Sequence, residues 1–191
     1  MELTNVFICG TGGQGILLAS EVVSAAAQSA GLDVKKSEVH GMAQRGGSVT
    51  SHVRFGSKVY SPLIELGRSD LVLSMEKLEA LRWLPYLAPG GRMLMSDIRI
   101  NPLTVNVGDA EYPDVEAALN ARDVPYDVIP AYEIARGLGN VRVVNTVMLG
   151  AASVILPLGP EYWKEAVEQR VPPKALKVNM EAFEKGRSLL G

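Results

Sequence analysis

Val6-Phe7-Ile8-Cys9-Gly10-Thr11-Gly12-Gly13-Gln14-Gly15 is the stretch whose reading decides the fold. Four apolar residues running into a glycine cluster have the form of a buried strand that ends in a tight turn. Residues 13–30 then place Ile16, Ala19, Val23, Ala26, Ala27 and Ala30 at helical spacing, and Gly31 is the stop signal. The small side chains let such a helix lie close against a sheet. Strand, glycine turn and helix form the first half of a βαβ unit.

Working outward, residues 34–39 predict a second strand, unusually polar because of Lys35, Lys36 and Glu38. Residues 41–47 read as a loop. Residues 49–55 alternate, with Val49, Ser51, Val53 and Phe55 on one side, and Gly56-Ser57-Lys58 could turn this strand into a hairpin with Val59-Tyr60. Asp70-Leu71-Val72-Leu73-Ser74-Met75 is another buried strand, followed by a predicted helix over 76–87. Pro89-Gly90-Gly91 breaks the chain before the strand Arg92-Met93-Leu94-Met95-Ser96, and Tyr126-Asp127-Val128-Ile129-Pro130 is the last strand. The C-terminal third is helical over 143–156 and 161–170, with a final helix after Pro172-Pro173 carrying Leu176, Met180, Phe183 and Leu190 on one stripe. No repeat or linker interrupts the pattern. The expectation is one α/β domain over residues 1–191, with a largely parallel sheet flanked by helices.

The 191 residues carry 19 Lys+Arg against 21 Asp+Glu, a net charge of −2. That balance offers no electrostatic footprint for nucleic acid or an anionic membrane. Cys9 is the sole cysteine, which excludes an internal disulfide and a cysteine-ligated iron–sulfur cluster held by this chain alone. Two histidines without carboxylates at ligand spacing make no metal site. Met1-Glu2-Leu3-Thr4-Asn5 lacks the basic region of a secretory signal. The longest uncharged stretch, 143–159, falls short of the roughly 20 residues of a spanning helix. A cytoplasmic chain is expected.

Gly10, Gly12, Gly13, Gln14 and Gly15 satisfy G-x-G-x-x-G between a strand and a helix. Glycines let a backbone approach an anion, and a helix N-terminus offers unpaired N–H groups and a positive dipole end. The same glycines would equally serve a tight turn and close helix–sheet packing. A dinucleotide site is less well supported: the second strand is too polar for a central parallel strand, and Glu38 lies later than the usual roughly 20 residues for a ribose-binding acid.

The second informative stretch is His40-Gly41-Met42-Ala43-Gln44-Arg45-Gly46-Gly47-Ser48-Val49-Thr50-Ser51. Arg45 could meet a carboxylate, a phosphate or a partner's carbonyls bidentately, with Gly46 and Gly47 admitting another backbone. A surface turn with an ordinary arginine is the simpler alternative.

Together, the loop at 10–15, the segment 38–54 and, in order, 70–75, Pro89-Gly90-Gly91 and Asn145-Thr146-Val147-Met148-Leu149-Gly150 resemble the gamma-type subunits of 2-oxoacid:ferredoxin oxidoreductases. In length the chain matches the beta subunits of the indolepyruvate-type branch; the pyruvate and other 2-oxoacid branches are alternatives, as is a free-standing dinucleotide- or CoA-binding protein. The resemblance implies a Rossmann-like fold and a large partner subunit carrying thiamine diphosphate and [4Fe-4S] clusters. It implies oxidative decarboxylation of an aryl 2-oxoacid with coenzyme A, giving an acyl-CoA, carbon dioxide and reduced ferredoxin, with the thiamine cofactor as electron sink. This chain would then be an enzyme subunit that is inactive alone and contributes no catalytic residue. Gly10, Gly12, Gly13, Gln14 and Gly15 are the candidate phosphate or CoA loop. Arg45, Gly46, Gly47 and Ser48 are the residues expected to face the large subunit.

Other residues have simpler readings. His40 and His52 suit hydrogen bonds at a turn, and Cys9 a small hydrophobe in a strand. Trp83 and Trp163 suit helix packing, with an interface anchor as the alternative. Asn145 opens an apolar helix, where it would cap the first turn or bond across a subunit boundary. Lys35-Lys36 reads as a solvated face.

Overall fold

The computed structural model describes residues 2–40 and 47–191. Its centre is a six-stranded sheet in the order β2-β3-β1-β4-β5-β6. The strands are β1 (Thr4–Thr11), β2 (Asp33–His40), β3 (Ser48–Gly56), β4 (Ser69–Ser74), β5 (Leu87–Ser96) and β6 (Tyr126–Ile129). β1, β4, β5 and β6 pair in parallel, while β3 runs antiparallel to both β1 and β2. The sheet is therefore largely parallel, as expected, with one reversed strand.

Alternation along β1 explains the layers. Val6 and Ile8 face one apolar cluster with Leu71, Leu73 and Leu94, while Phe7 and Cys9 face a second with Val72, Met93 and Met95. The first cluster is covered by α1 (Ile16–Ser29), α5 (Ala131–Gly137), α6 (Val144–Ile155), α7 (Pro160–Arg170) and α8 (Leu176–Arg187). The second is covered by the short α2 (Lys77–Arg82) and α4 (Val115–Asn120). A further short helix, α3 (Leu103–Asn106), follows β5. Strands buried on both faces become continuous apolar runs, which is why β1 and β4 were readable from sequence.

Three expectations are corrected. The hairpin of 49–55 is not with Val59-Tyr60: β3 instead pairs back onto β2 in full register from Asp33 opposite Gly56 to His40 opposite Val49. Asp33 takes the Val59 N–H at 2.9 Å and holds that segment outside the sheet. The polarity of β2 follows, because β2 is an edge strand bonded only to β3. The helix expected over 76–87 stops at Arg82 and tightens into a 3-10 turn over Leu84–Tyr86, since Pro85 has no N–H to continue it. Pro89-Gly90-Gly91 is not a turn before a strand; β5 begins at Leu87 and carries these residues as an irregularity, with Ser69 opposite Leu87 and Leu71 opposite Arg92.

The C-terminal helices pack by backbone contact. Gly150 of α6 and Gly186 of α8 face each other's helices so closely that an added Cβ would overlap the Phe183 and Val147 carbonyls respectively. Neither obstacle is a flexible side chain, so the helices themselves would have to separate. Gly186→Ala is expected to destabilise the fold by about 2–3 kcal/mol. Urea denaturation checks this, with a surface control such as Lys185→Ala expected to change little.

Candidate functional site at the first strand–helix turn

The turn between β1 and α1 sits at the C-terminal end of the central parallel strand, flanked by antiparallel β3 and parallel β4. In α/β sheets, connections diverging to opposite sides open a crevice at such a point. Here a cavity of about 390 Å³ is lined by Thr11, Gly12, Gly13, Gly15, Ile16, Leu17, Leu18 and Val49.

Its backbone donors can be followed one by one. The Thr11 N–H donates to Gln14 Oε1 at 2.7 Å, and Gln14 Nε2 donates to the Met75 carbonyl at 2.9 Å. Gln14 thus braces the turn against the end of β4 and has no side-chain donor turned to the cavity through these bonds. The Gly12 N–H goes to the Gly47 carbonyl at 2.9 Å and the Gln14 N–H to Thr11 at 3.2 Å. Among the described residues, the N–H groups of Gly13 and Gly15 find no acceptor. The first N–H groups of α1, those of Ile16, Leu17 and Leu18, have no intrahelical acceptor by construction.

The glycines have separable roles. Gly13 and Gly15 lie at φ +100 and +78, in the region L side chains rarely enter. Gly10 is extended, and an added Cβ there would press on Gln14 Oε1 at 2.7 Å and Met75 Cβ at 3.0 Å. Gly10 permits close packing, whereas Gly13 and Gly15 take turn conformations that favour glycine. Among the described residues, no charged side chain lines the cavity. An anion there would meet backbone dipoles beside the apolar surface of Leu17, Leu18 and Val49.

The second motif meets the first. Ser48 pairs with Thr11 in the β1–β3 register, and Gly47 accepts the Gly12 N–H. Arg45 and Gly46, with the rest of 41–46 and the His40 side chain, lie outside the described residues.

Several participants were not found from sequence. Glu79, buried on α2, accepts from the Ser48 hydroxyl, from Trp83 Nε1 at 3.0 Å and from Arg82 Nε at 2.8 Å. Trp83 therefore anchors the start of β3 within this chain, while Trp163 is buried in the core and stacks on Phe183 at 6.4 Å. Glu76 accepts from the Glu79 N–H at 2.8 Å, Ile100 N–H at 2.9 Å and Tyr112 hydroxyl at 2.7 Å, tying together the loops after β4 and β5. Only the Glu76…Glu79 spacing at a helix start could have announced this cap. Asn145 does not cap α6, which begins without a side-chain cap; its Nδ2 donates to the Gly15 carbonyl at 3.3 Å.

Cys9 is fully buried and burial pushes its thiol far up, so it packs as a small hydrophobe. His52 Nδ1 accepts the Ile64 N–H at 3.1 Å, and the ring meets Phe7 edge-on at 4.9 Å. Among the described residues, no cluster of His, Cys, Asp or Glu could hold a metal ion. No helix there is long and apolar enough to cross a membrane.

Two predictions come from this geometry. Burial, then the nearby Arg54 charge, lower the His52 pKa. The unfolded chain thus binds the proton more readily, and stability should fall as pH drops below about 6.5. His52→Asn, which keeps an acceptor for Ile64, should flatten that fall between pH 7.5 and 5.5 in urea titrations. Gln14→Ala should cost about 1–2 kcal/mol by orphaning the Thr11 N–H and the Met75 carbonyl, measured by the same titration at constant pH.

Residues 5–189 match the sequence profile of the family described as pyruvate ferredoxin/flavodoxin oxidoreductase. Among curated relatives, indolepyruvate oxidoreductase subunit IorB of Pyrococcus horikoshii is 42% identical over 97% of this chain and 95% of its own. The subunit of the same name from Archaeoglobus fulgidus is 38% identical over 95% of this chain and 92% of its own. The 2-oxoglutarate synthase subunit KorC of Methanothermobacter thermautotrophicus is 30% identical over 96% of this chain and 93% of its own. In fold, the chain resembles the gamma subunit of a keto/oxoacid ferredoxin oxidoreductase from Geobacter sulfurreducens, with a TM-score of 0.74 at 22% identity, covering 98% of each chain. It also resembles 2-oxoglutarate:ferredoxin oxidoreductase from Magnetococcus marinus, solved with 2-oxoglutarate, coenzyme A and succinyl-CoA bound. That match has a TM-score of 0.78 at 24% identity and covers all of this chain but 31% of the other.

Proposed function

This chain belongs to the pyruvate ferredoxin/flavodoxin oxidoreductase family, and from that premise we propose that it is the small subunit of an indolepyruvate-type 2-oxoacid:ferredoxin oxidoreductase. One observation carries the substrate class: near-full-length identity of 36–42% to four indolepyruvate oxidoreductase subunits, against 28–30% to the 2-oxoglutarate and ketoisovalerate relatives. The reaction is oxidative decarboxylation of indolepyruvate or another aryl 2-oxoacid, with coenzyme A receiving the acyl group and ferredoxin the electrons. The chain acts as one domain in a cytoplasmic complex, without nucleic acid or membrane.

The chain's own donors do not fit an iron–sulfur cluster. Its one cysteine is buried in β1 with its thiol held protonated, while cluster ligation takes several thiolates. The clusters therefore belong to another chain, and the family resemblance assigns thiamine diphosphate, which supplies the electron sink, to the same large partner subunit. This chain supplies binding surface. Arg45, Gly46, Gly47 and Ser48 face the large subunit near its active site. The N–H groups of Gly13, Gly15 and the first turn of α1 take a phosphate of coenzyme A, with Leu17, Leu18 and Val49 beside them.

Co-production of this chain with the large subunit encoded beside or apart from it, followed by tagged purification, tests the assignment. The expected result is a complex containing iron and thiamine diphosphate that reduces ferredoxin with indolepyruvate and coenzyme A, and needs both chains. Faster turnover of pyruvate or 2-oxoglutarate than of indolepyruvate would replace the substrate class. Purification of this chain alone at native levels, across gentle salt conditions, would overturn the subunit assignment.

A further inference from the structure

We infer that Asn145 is a positioning residue for the phosphate cradle: it holds the Gly15 carbonyl so that the N–H groups entering α1 face the cavity. The inference rests on the reading of the glycine loop as a cradle for coenzyme A.

Asn145 stands in the first turn of α6, 2% exposed on a helix that is apolar apart from Thr146 and Ser153. A primary amide in that setting is costly without a hydrogen-bond partner. Its Nδ2 donates 3.3 Å to the Gly15 carbonyl. The Thr146 hydroxyl lies 3.4 Å from its Oδ1 and 2.6 Å from Asn179 Oδ1, and Asn179 Nδ2 donates at 2.9 Å to the Ala175 carbonyl. The single Thr146 proton goes to the nearer oxygen, that of Asn179, so the firm bond of Asn145 is the one to Gly15.

Gly15 occupies a decisive place at the start of α1. Its carbonyl also accepts the Ala19 N–H at 3.0 Å, the first intrahelical bond of α1. The Gly15–Ile16 peptide is trans, so fixing the carbonyl on Asn145 and Ala19 directs the Ile16 N–H the opposite way. That direction is back past the helix start, where Thr11, Gly12, Gly13 and Ile16 line the cavity. The two residues also specify each other sterically: a Cβ on Gly15 would overlap the Asn145 amide. The side chain reaches no cavity wall itself and acts only through the backbone it holds.

The test uses the assembled two-subunit enzyme with coenzyme A as the varied substrate. Asn145→Asp keeps shape but sets an acceptor against the Gly15 carbonyl, and Asn145→Ala removes the contact. Leu17→Glu, at a cavity-lining position 41% exposed, puts a negative charge beside the cradle and probes the underlying reading separately. With Asn145→Asp, the KM for coenzyme A should rise about tenfold, as for loss of one hydrogen bond to a charged ligand, with kcat and the KM for the 2-oxoacid unchanged. Leu17→Glu should raise the same KM. If Leu17→Glu raises it and neither Asn145 variant does, the positioning role falls and the cradle stands. If none of the three raises it, the cradle falls and the positioning role with it. If the Asn145 variants lower kcat and thermal stability and raise both KM values together, the residue is structural only and the inference is overturned.

Discussion

Everything in this molecule is arranged around a strand with no free side. β1 is bonded along both edges, to β3 and β4, and covered on both faces by apolar clusters. Its polypeptide can leave only at its ends, and at the C-terminal end the chain must turn from sheet to helix without stranding polar backbone groups. Gln14 meets part of that demand from within, Gly47 meets another part from β3, and Asn145 from the far side of the cluster holds the first carbonyl of α1. The N–H groups left over are the cavity's chemistry. A candidate ligand site emerges here as the remainder of a hydrogen-bond account.

The strands and long helices were legible because burial on two faces, or on one stripe, writes itself as apolar runs and spacing. The glycine loop was legible for the same reason: a strand, clustered glycines and a helix leave few alternatives. Strand direction was not legible. Nothing in Val49-Thr50-Ser51-His52-Val53 distinguishes a strand pairing back onto β2 from one pairing forward, since alternation is the same for both. The short helices α3, α4 and α5 were missed because one or two turns carry too little periodicity. Asn145, Glu79 and Trp83 were visible as residues, yet their partners lie 130, 31 and 35 positions away, and side-chain pairing over such distances leaves no local mark.

The chemistry of the site is divided in a way the composition anticipates. The chain's one cysteine is buried, and the described lining of the cavity is backbone and apolar or hydroxyl side chains. Backbone donors suit such a lining: they carry no titratable proton, need no counter-ion in the free subunit, and are aimed by helices whose packing is set elsewhere. The glycine contacts between α6 and α8 make that packing stiff, and α6 is also the helix that carries Asn145.

The polar edge strand has a consequence for how such a subunit lives before it meets its partner. β2 ends the sheet with exposed Lys35 and Lys36, and Lys36 pairs with Glu38 at 3.0 Å and Glu21 at 3.8 Å. A neighbouring chain approaching this border to extend the sheet would have to strip water from those ammonium groups and disturb their pairing. This border of the sheet is thereby a poor template for strand-by-strand growth between copies.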